Sequence, residues 1–298
     1  MQASSNAEIS GLQEDVKRRI QRTKMDPFFL SSVAGKIFVA YHPADAKQSF
    51  SDDVIIVPPF AEEMNKSRRM VSMLAARLNH LGYGVLVFDL FGTGDSAGDF
   101  SEARWDIWLQ DLATVVQWSL SQGRERQHLL GIRMGALLVL NAAKILDNEF
   151  AKFIFWQPII SGKSMMNQFL RLRLAASMMD ARQKKETTGM LLEHLHSGQS
   201  IEVAGYELSS ELFLAVNKLY LDELGQQHAV PMYLFDLVAD EGRSFSPATQ
   251  KVLNNWQTQG VNVEACKVVG KPFWSLQETI VVTLLLDSTA RLYGGLSQ

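Results

Sequence analysis

The chain has 298 residues, of which 47% are hydrophobic and 20% charged, a balance typical of a globular protein with a sizeable core. Its 29 lysines and arginines and 32 acidic residues give a net charge of −3, whereas nucleic-acid-binding proteins usually carry a basic excess. The one cysteine, Cys266, excludes a disulfide framework and a zinc site built on several cysteines.

The N-terminal residues have no apolar stretch of the kind that a secretory signal contains. No apolar run approaches the roughly 20 residues that a membrane-spanning helix needs. We therefore expect a soluble, cytoplasmic protein without an integral membrane segment. The composition indicates no particular oligomeric state.

Residues 1–25 form an N-terminal extension in which apolar residues recur at helical spacing, and they predict an amphipathic helix over residues 6–24. The apolar residues are Ile9, Leu12, Val16 and Ile20. The basic residues among them are Lys17, Arg18, Arg19, Arg22 and Lys24. The segment is either a surface helix with a solvated basic face or a helix that docks onto a partner or a membrane surface.

Residues 26–298 show strands that alternate with helices. In chain order we predict strands over 28–32, 36–41, 54–57, 85–88, 128–132 and 153–156, and helices over 66–81, 105–120 and 134–146. Continuous apolar runs such as 54–57 are typical of strands buried on both faces of a sheet. The alternation predicts the α/β class, with a mostly parallel, doubly wound sheet and right-handed crossovers.

The alternation stops after the sixth predicted strand. Residues from about 160 to 228 are mainly helical by pattern, with one short strand over 201–206, and they predict a helical insertion, or lid, over one end of the sheet. The alternation then returns with strands over 232–238 and 261–269 and helices over 247–258 and 277–293. We therefore expect one α/β domain that carries a lid.

The sequence GIRMG (131–135) joins a predicted strand to a predicted helix at the position of a nucleophile elbow, G-x-S-x-G. Open α/β sheets place their sites at such strand ends. Serine is the usual central residue, but here the position holds Arg133. An arginine stays protonated and cannot attack a carbonyl carbon.

The other positions of a Ser-His-Asp triad also depart from the pattern. The loop after the last predicted strand, GKPFW (270–274), contains no histidine, and a serine without a general base is a weak nucleophile. Asp240 is either a relic of the triad acid or a turn residue. Ser96, in the glycine-rich loop 91–100, is the remaining candidate nucleophile, although that loop has the composition of a tight turn.

Arg133, at a helix N-terminus, predicts either an anion-binding site or an internal ion pair. The helix dipole and the guanidinium would together attract a carboxylate or phosphate of a small acyl or saccharide-type ligand. Glu62 and Glu63 would oppose a developing oxyanion, and either could pair with Arg133. The candidate ligand-binding residues are Phe60, Glu62, Glu63, Arg133, Met134 and Trp274.

The sequence contains no cofactor motif that we recognise. The segment GTGDSAG (92–98) lacks the GxxxxGK[ST] pattern of a phosphate-binding loop, and there is no dinucleotide-binding fingerprint. His194 and His196 are two residues apart and would not share one face of a helix. We therefore expect neither a cofactor nor a bound metal.

Four motifs together resemble one protein family. They are PPFAEEMNKSRRM (58–70), FDLFGTGDSAGDF (88–100) followed by Trp105 and Trp108, GIRMGALL (131–138) and GKPFW (270–274). They look like the α/β-hydrolase-fold proteins called exosortase A system-associated hydrolase type 2, over about residues 28–295. The resemblance implies the α/β-hydrolase fold and an association with the exosortase/PEP-CTERM sorting system and exopolysaccharide gene clusters of Gram-negative bacteria.

The altered elbow and the resemblance lead to three interpretations. The first is a pseudoenzyme with a hydrolase fold that binds a ligand or acts as a scaffold. The second is an active esterase or thioesterase with a non-standard nucleophile, and the third is a purely structural partner. A deep pocket under the insertion would favour the first two, and a pocket filled by Arg133, its glutamate partner and aromatic side chains would favour the third.

Overall fold

The computed structural model describes residues 24–44, 50–146, 148–179, 186–226 and 228–294. The predicted N-terminal helix over 6–24 lies outside these residues, except for Lys24. None of the described helices is long and apolar enough to cross a membrane.

Ten strands form two sheets. They are β1 Asp26–Ser31, β2 Lys36–His42, β3 Asp53–Val57, β4 Gly84–Phe88, β5 Gln127–Ile132, β6 Phe150–Trp156, β7 Ile201–Val203, β8 Tyr206–Leu208, β9 Met232–Val238 and β10 Val263–Val269. The large sheet has the order β1-β2-β4-β3-β5-β6-β9-β10. Strand β2 runs antiparallel to both of its neighbours, and the other neighbouring strands of the large sheet are parallel. The predicted doubly wound sheet is confirmed.

Nine α-helices accompany the strands in the described part of the chain. They are α1 Glu62–His80, α2 Trp105–Ser121, α3 Gly135–Ala143, α4 Gly162–Met179, α5 Thr188–His196, α6 Ser210–Asn217, α7 Leu221–Gly225, α8 Pro247–Thr258 and α9 Thr283–Arg291. Helices α1 and α9 bury their apolar residues against one face of the sheet. Helices α2 and α3 bury theirs against the other face, so the sheet has a core on both sides.

The segment between β6 and β9 is the mainly helical insertion expected after the sixth strand. It contains α4 to α7 and the small hairpin β7–β8. The hairpin replaces the single strand predicted over 201–206, because Ala204 and Gly205 both adopt positive φ angles and turn the chain between the two strands. Phe169 and Phe213 are buried in the core that α2 and α3 also form, so the insertion packs onto the domain.

The last helix begins at Thr283, six residues later than the predicted start at residue 277. The backbone N–H of Val282 donates a hydrogen bond to Met70 Sδ at 3.2 Å, and the Val282 side chain is buried. This packing against α1 holds Val282 outside the helix, with φ −96° and ψ 85°. The prediction was wrong here because a tertiary contact decides where the helix starts.

Candidate functional site

Arg133 lies in a sharp turn between β5 and α3, with a φ of 55° in the left-handed region. The two glycines of the motif are required by close contacts. A Cβ on Gly131 would lie 2.5 Å from the backbone nitrogen of Ala136, and one on Gly135 would lie 2.5 Å from the carbonyl oxygen of Val57. The segment therefore has the geometry of a nucleophile elbow although its central residue is an arginine.

The Arg133 side chain is only 14% exposed, and its guanidinium is held on three sides. Its Nη2 lies 3.1 Å from Glu63 Oε1, and its Nε lies 3.3 Å from both carboxylate oxygens of Glu63. Its Nη1 donates to the carbonyl oxygen of Gln157 at 3.4 Å. The guanidinium carbon lies 4.7 Å from the ring centroid of Trp274, which is a cation–π distance.

The two glutamates at the start of α1 have different roles. Burial raises the pKa of Glu63, and the charge and hydrogen bonds of Arg133 oppose that rise. Glu62 is exposed, and it accepts a hydrogen bond from the Tyr206 hydroxyl of the insertion at 3.2 Å. Burial and the charge of Glu62 raise the pKa of Tyr206 to about 12. Of the two possible partners, Glu63 is therefore the one that pairs with Arg133.

Three non-glycine residues with positive φ lie beside neighbouring strand ends. Ala61 (φ 51°) follows β3, Arg133 follows β5 and Gln157 (φ 44°) follows β6. Among the described non-glycine residues, the only other positive φ is that of Ala204 in the insertion hairpin. Each such residue costs of order 1–3 kcal/mol, and such strain clusters at functional sites. These strained backbone conformations therefore indicate that the candidate site lies at this edge of the sheet.

Gln157 is a site residue for which the sequence gives no signal. Its side-chain amide donates to Asp236 and its Oε1 accepts the Leu237 N–H at 2.6 Å, so it ties β6 to β9. Asp236 is 3% exposed, and burial raises its pKa while the bond from Gln157 and the charge of Arg133 oppose the rise. The strained backbone of Gln157 aims its carbonyl oxygen at Arg133.

Two other candidate residues lie apart from Arg133 in structural roles. Asp240 is exposed and pairs at 3.7 Å with Arg243, three residues along the same turn. The Ser96 hydroxyl donates to the carbonyl oxygen of Asp89 at 2.6 Å and accepts the Phe38 N–H at 2.9 Å. These contacts hold the glycine-rich loop against β2. Within the part of the chain that the structure describes, no histidine forms a hydrogen bond or ion pair with Ser96 or Arg133.

Aromatic side chains fill the space between the elbow and the insertion. Phe60 is 4% exposed and packs against Phe169 of α4, with ring centroids 5.0 Å apart. It also packs against Phe100, whose ring contacts Tyr206 at 5.0 Å. Met134 has no exposed surface. Phe60 and Met134 are thus part of the packing beneath the elbow.

An open cleft of about 550 Å³ lies beside Arg133, at the carboxyl ends of β6, β9 and β10. Its lining residues are Gln157, Leu237, Ala239, Val269, Gly270, Lys271, Pro272 and Trp274. Trp274 and Gln157 form the wall of the cleft and also contact Arg133. Of the insertion residues that the structure describes, none beyond Gln157 lines the cleft, so the cleft does not lie under this part of the insertion.

Among the described residues, no group of three or more histidine, cysteine, aspartate or glutamate side chains is arranged to hold a metal ion. Two acidic groups interact with Arg133, namely Glu63 through an ion pair and the buried Asp236 through its charge. This arrangement can hold an anionic group at the elbow, or exchange Glu63 for another anionic group there.

Comparisons with known proteins agree on the architecture. The sequence model of the family described as serine aminopeptidase, S33, matches residues 52–207, just over half of the chain. A search among curated proteins gives no match. The chain resembles the ferulic acid complex of Est1E from Butyrivibrio proteoclasticus, with a TM-score of 0.62, 13% identity, and coverage of 89% of this chain and 97% of that one.

Two further solved structures are similar over comparable lengths. The esterase Pf2001 of Pyrococcus furiosus gives a TM-score of 0.59 at 16% identity, covering 94% of this chain and 91% of that chain. A putative hydrolase of Agrobacterium vitis gives a TM-score of 0.55 at 16% identity, covering 90% and 97%. At identities this low, the similarity shows a shared fold and nothing about activity or substrate.

Proposed function

The chain has the α/β-hydrolase fold and belongs to the serine aminopeptidase S33 family, and we propose that within this family it is a pseudo-hydrolase that binds a ligand at the elbow. The single observation that carries the proposal is the open cleft beside the ion pair of Arg133 and Glu63 at the nucleophile position, because the filled space under the insertion would by itself favour a purely structural partner. A guanidinium has no nucleophilic form at physiological pH. The neighbouring Glu63 places an acidic group where a hydrolase stabilises an oxyanion.

The ligand that suits this site carries an anionic group and an apolar or flat body. Glu63 occupies one edge of the Arg133 guanidinium, and a carboxylate or phosphate could replace it there through bidentate hydrogen bonds. The cleft next to Arg133 offers apolar surface from Leu237, Val269 and Trp274, with Lys271 as a cation at its wall. An acyl chain or a sugar ring with an acidic substituent has this chemistry.

The biological setting belongs to the same proposal. The motifs at 58–70, 88–100, 131–138 and 270–274, which include both the elbow and the Trp274 loop, support an association with the exosortase/PEP-CTERM and exopolysaccharide system. An acidic saccharide or an acyl-linked precursor would be a ligand consistent with that setting. As part of this proposal we place the binding function in the cytoplasm.

Labelling with a serine-reactive fluorophosphonate, read by intact mass, tests the loss of catalysis. We expect no adduct, because Ser96 is held by two hydrogen bonds and the elbow holds no serine. A known serine hydrolase labelled in parallel is the control. A stoichiometric adduct would contradict the proposal and favour the active esterase or thioesterase, with peptide mapping to test Ser96.

Anion binding can be measured as a shift in melting temperature with sulfate or octanoate. We expect both to stabilise the wild type and not Arg133→Gln, while the exposed-residue control Arg69→Gln behaves like the wild type. The shift should be larger at pH 5.5 than at pH 7.5, because burial raises the pKa of Glu63 and its protonated form competes less for Arg133. Equal stabilisation of Arg133→Gln would contradict an anion site at the elbow.

A further inference from the structure

The cleft beside Arg133 offers a ligand much more apolar surface than polar surface. Most of its lining residues contribute aliphatic carbon, and they include Leu237, Ala239, Val269 and Pro272. Among the described residues that line it, Lys271 is the one with an ionisable side chain, and it is exposed. The volume of about 550 Å³ is within the range of small-molecule sites. The cleft is therefore suited to a ligand whose body is apolar.

The polar groups of the cleft wall are largely engaged with the protein itself. The side-chain nitrogen of Gln157 donates a hydrogen bond to Asp236, and its Oε1 accepts the backbone N–H of Leu237 at 2.6 Å. The backbone N–H of Gly270, which also lines the cleft, donates to the carbonyl oxygen of Val238 at 3.0 Å. A hydroxyl group that loses water without gaining a partner opposes binding. The cleft thus offers few groups that could satisfy a sugar ring with several hydroxyls.

Trp274 is the one aromatic residue among the described residues that line the cleft, and little of its ring is available for stacking. The side chain is only 8% exposed. The guanidinium of Arg133 covers one face, 4.7 Å from the ring centroid. The ring of the buried Phe273 lies 5.1 Å from that of Trp274, with their planes at 82°. Trp274 is therefore a fixed wall of the cleft and not an open platform for a sugar ring.

We propose that the body of the ligand is an aliphatic chain that occupies this cleft, so that the protein binds an aliphatic carboxylate and not an acidic sugar. This inference rests on the proposed function, which places the anionic group of the ligand at Arg133. Gln157 and Trp274 contact Arg133 and also line the cleft, so an acid held at the elbow can extend its chain past them. An aliphatic chain needs no hydrogen-bond partner and gains free energy for each methylene removed from water.

Calorimetric titration with butanoate, hexanoate and octanoate tests the chemistry of the chain, because these carboxylates differ only in length. We expect the affinity to rise about two- to fourfold for each added methylene. The heat capacity change of binding should become more negative along the series. Glucuronate, with the same number of carbons and the same charge as hexanoate, should bind more weakly than hexanoate. An affinity that does not change with chain length, or glucuronate binding as tight as that of hexanoate, would overturn the inference.

A pair of alanine variants tests where the chain lies. Ala239 lines the cleft and is exposed, so a tryptophan there would occupy part of the cleft without entering the core. Ala239→Trp should weaken octanoate binding about tenfold, as expected when roughly two methylenes lose their contacts. Its stabilisation by sulfate should match that of the wild type, which shows that the protein is folded. Ala248→Trp, exposed in the first turn of α8 and outside the lining, is the matched control and should bind octanoate like the wild type.

The aliphatic chain and the anion site at the elbow fail in different ways. If Arg133→Gln abolishes the stabilisation by sulfate but octanoate binds no better than butanoate, the anion site stands and the aliphatic chain is wrong. Equal octanoate affinities of Ala239→Trp and Ala248→Trp would also overturn the chain's place in the cleft. If the affinity depends on chain length and falls in Ala239→Trp, yet Arg133→Gln binds octanoate as tightly as the wild type, the aliphatic cleft stands and the anion site is wrong. A wild type that binds neither sulfate nor octanoate would overturn both.

Discussion

Arg133 is held by contacts that a catalytic nucleophile could not have. Glu63 and the carbonyl oxygen of Gln157 take up N–H groups of its guanidinium, and Trp274 covers one face. Arginine suits this role because its planar fork binds a carboxylate and stacks on an aromatic ring at the same time. Arg133, at the central position of the elbow motif, thus links Glu63, Gln157 and Trp274.

Arg133→Ala should lower the free energy of unfolding by about 2–3 kcal/mol, below the usual range for fully buried pairs because Glu63 keeps access to water. The loss comes from leaving the partly buried carboxylate of Glu63 without its cation. Urea unfolding measures it. Arg133→Ala/Glu63→Gln should recover part of the loss, and Arg69→Ala, an exposed arginine of α1, should have little effect. If the double variant were as destabilised as Arg133→Ala, loss of the ion pair with Glu63 would not be the cause.

Arg133→Ser restores the sequence of a nucleophile elbow, but we expect it to hydrolyse p-nitrophenyl acetate no faster than the wild type. The loop over residues 270–274, where a triad histidine would follow the last strand, contains none. A serine without a general base stays protonated and reacts slowly. A pre-steady-state burst or a fluorophosphonate adduct on the new serine would show that another group acts as base.

At the scale of elements, the β5–turn–α3 unit determines where Arg133 lies. Gly131 and Gly135 allow α3 to approach β3 and β5, and no larger residue fits without moving backbone. The neighbouring turns after β3 and β6 supply Glu63, on α1, and Gln157. Together with the loop after β10, which supplies Trp274, four strand ends therefore build the site, as the geometry of open α/β sheets leads one to expect.

Gly135→Ala should destabilise the protein by about 2 kcal/mol or more, because the new Cβ would lie 2.5 Å from the carbonyl oxygen of Val57. Gly189→Ala is the matched control. Gly189 lies in the first turn of α5 with no atom closer than 3.8 Å to an added Cβ, and alanine favours helix there. Chemical denaturation measures the free energy of unfolding of both variants. Equal stability of Gly135→Ala and the wild type would contradict the close approach of residue 135 to the Val57 backbone.

At the scale of the whole molecule, the two ends of the sheet differ in chemistry. The strained residues and the cleft lie at the carboxyl ends of the strands. At the opposite end, His128 is buried beside Asp52, with its Nε2 3.3 Å from Asp52 Oδ2. Lys152 and Arg126 are the charged neighbours, and the rings of Tyr83 and Tyr293 enclose His128. This end is a structural cluster, away from the candidate site.

Burial, with the charge of Lys152, lowers the pKa of His128 to about 4. The folded state therefore binds this proton less readily than the unfolded state, and stability is lost as pH falls from about 6.5 towards 4. Between pH 7.5 and pH 5, the free energy of unfolding of His128→Gln should therefore fall by about 2 kcal/mol less than that of the wild type. Urea unfolding at both pH values measures the difference, and the same loss of stability in both proteins would contradict this assignment.

The neighbouring positions of the site were only partly predictable. The GIRMG sequence indicated the elbow because the need for glycine there is local. Glu62 and Glu63 were equivalent by sequence, and only the orientation of α1 separates the exposed Glu62 from the paired Glu63. Gln157 gave no signal, since glutamine after an apolar strand is common and its strained φ depends on the packing of β6 against β9.

The sequence by itself determined the α/β class, the position of the helical insertion and the arginine at the centre of the elbow motif, because apolar periodicity, glycine and residue identity are properties of short segments. Only the tertiary structure decided that Glu63 pairs with Arg133, that Trp274 stacks on it and that aromatic side chains fill the space beneath the insertion. These contacts join residues from separate strand ends. Their distances depend on how the whole sheet twists and packs, which no local pattern encodes.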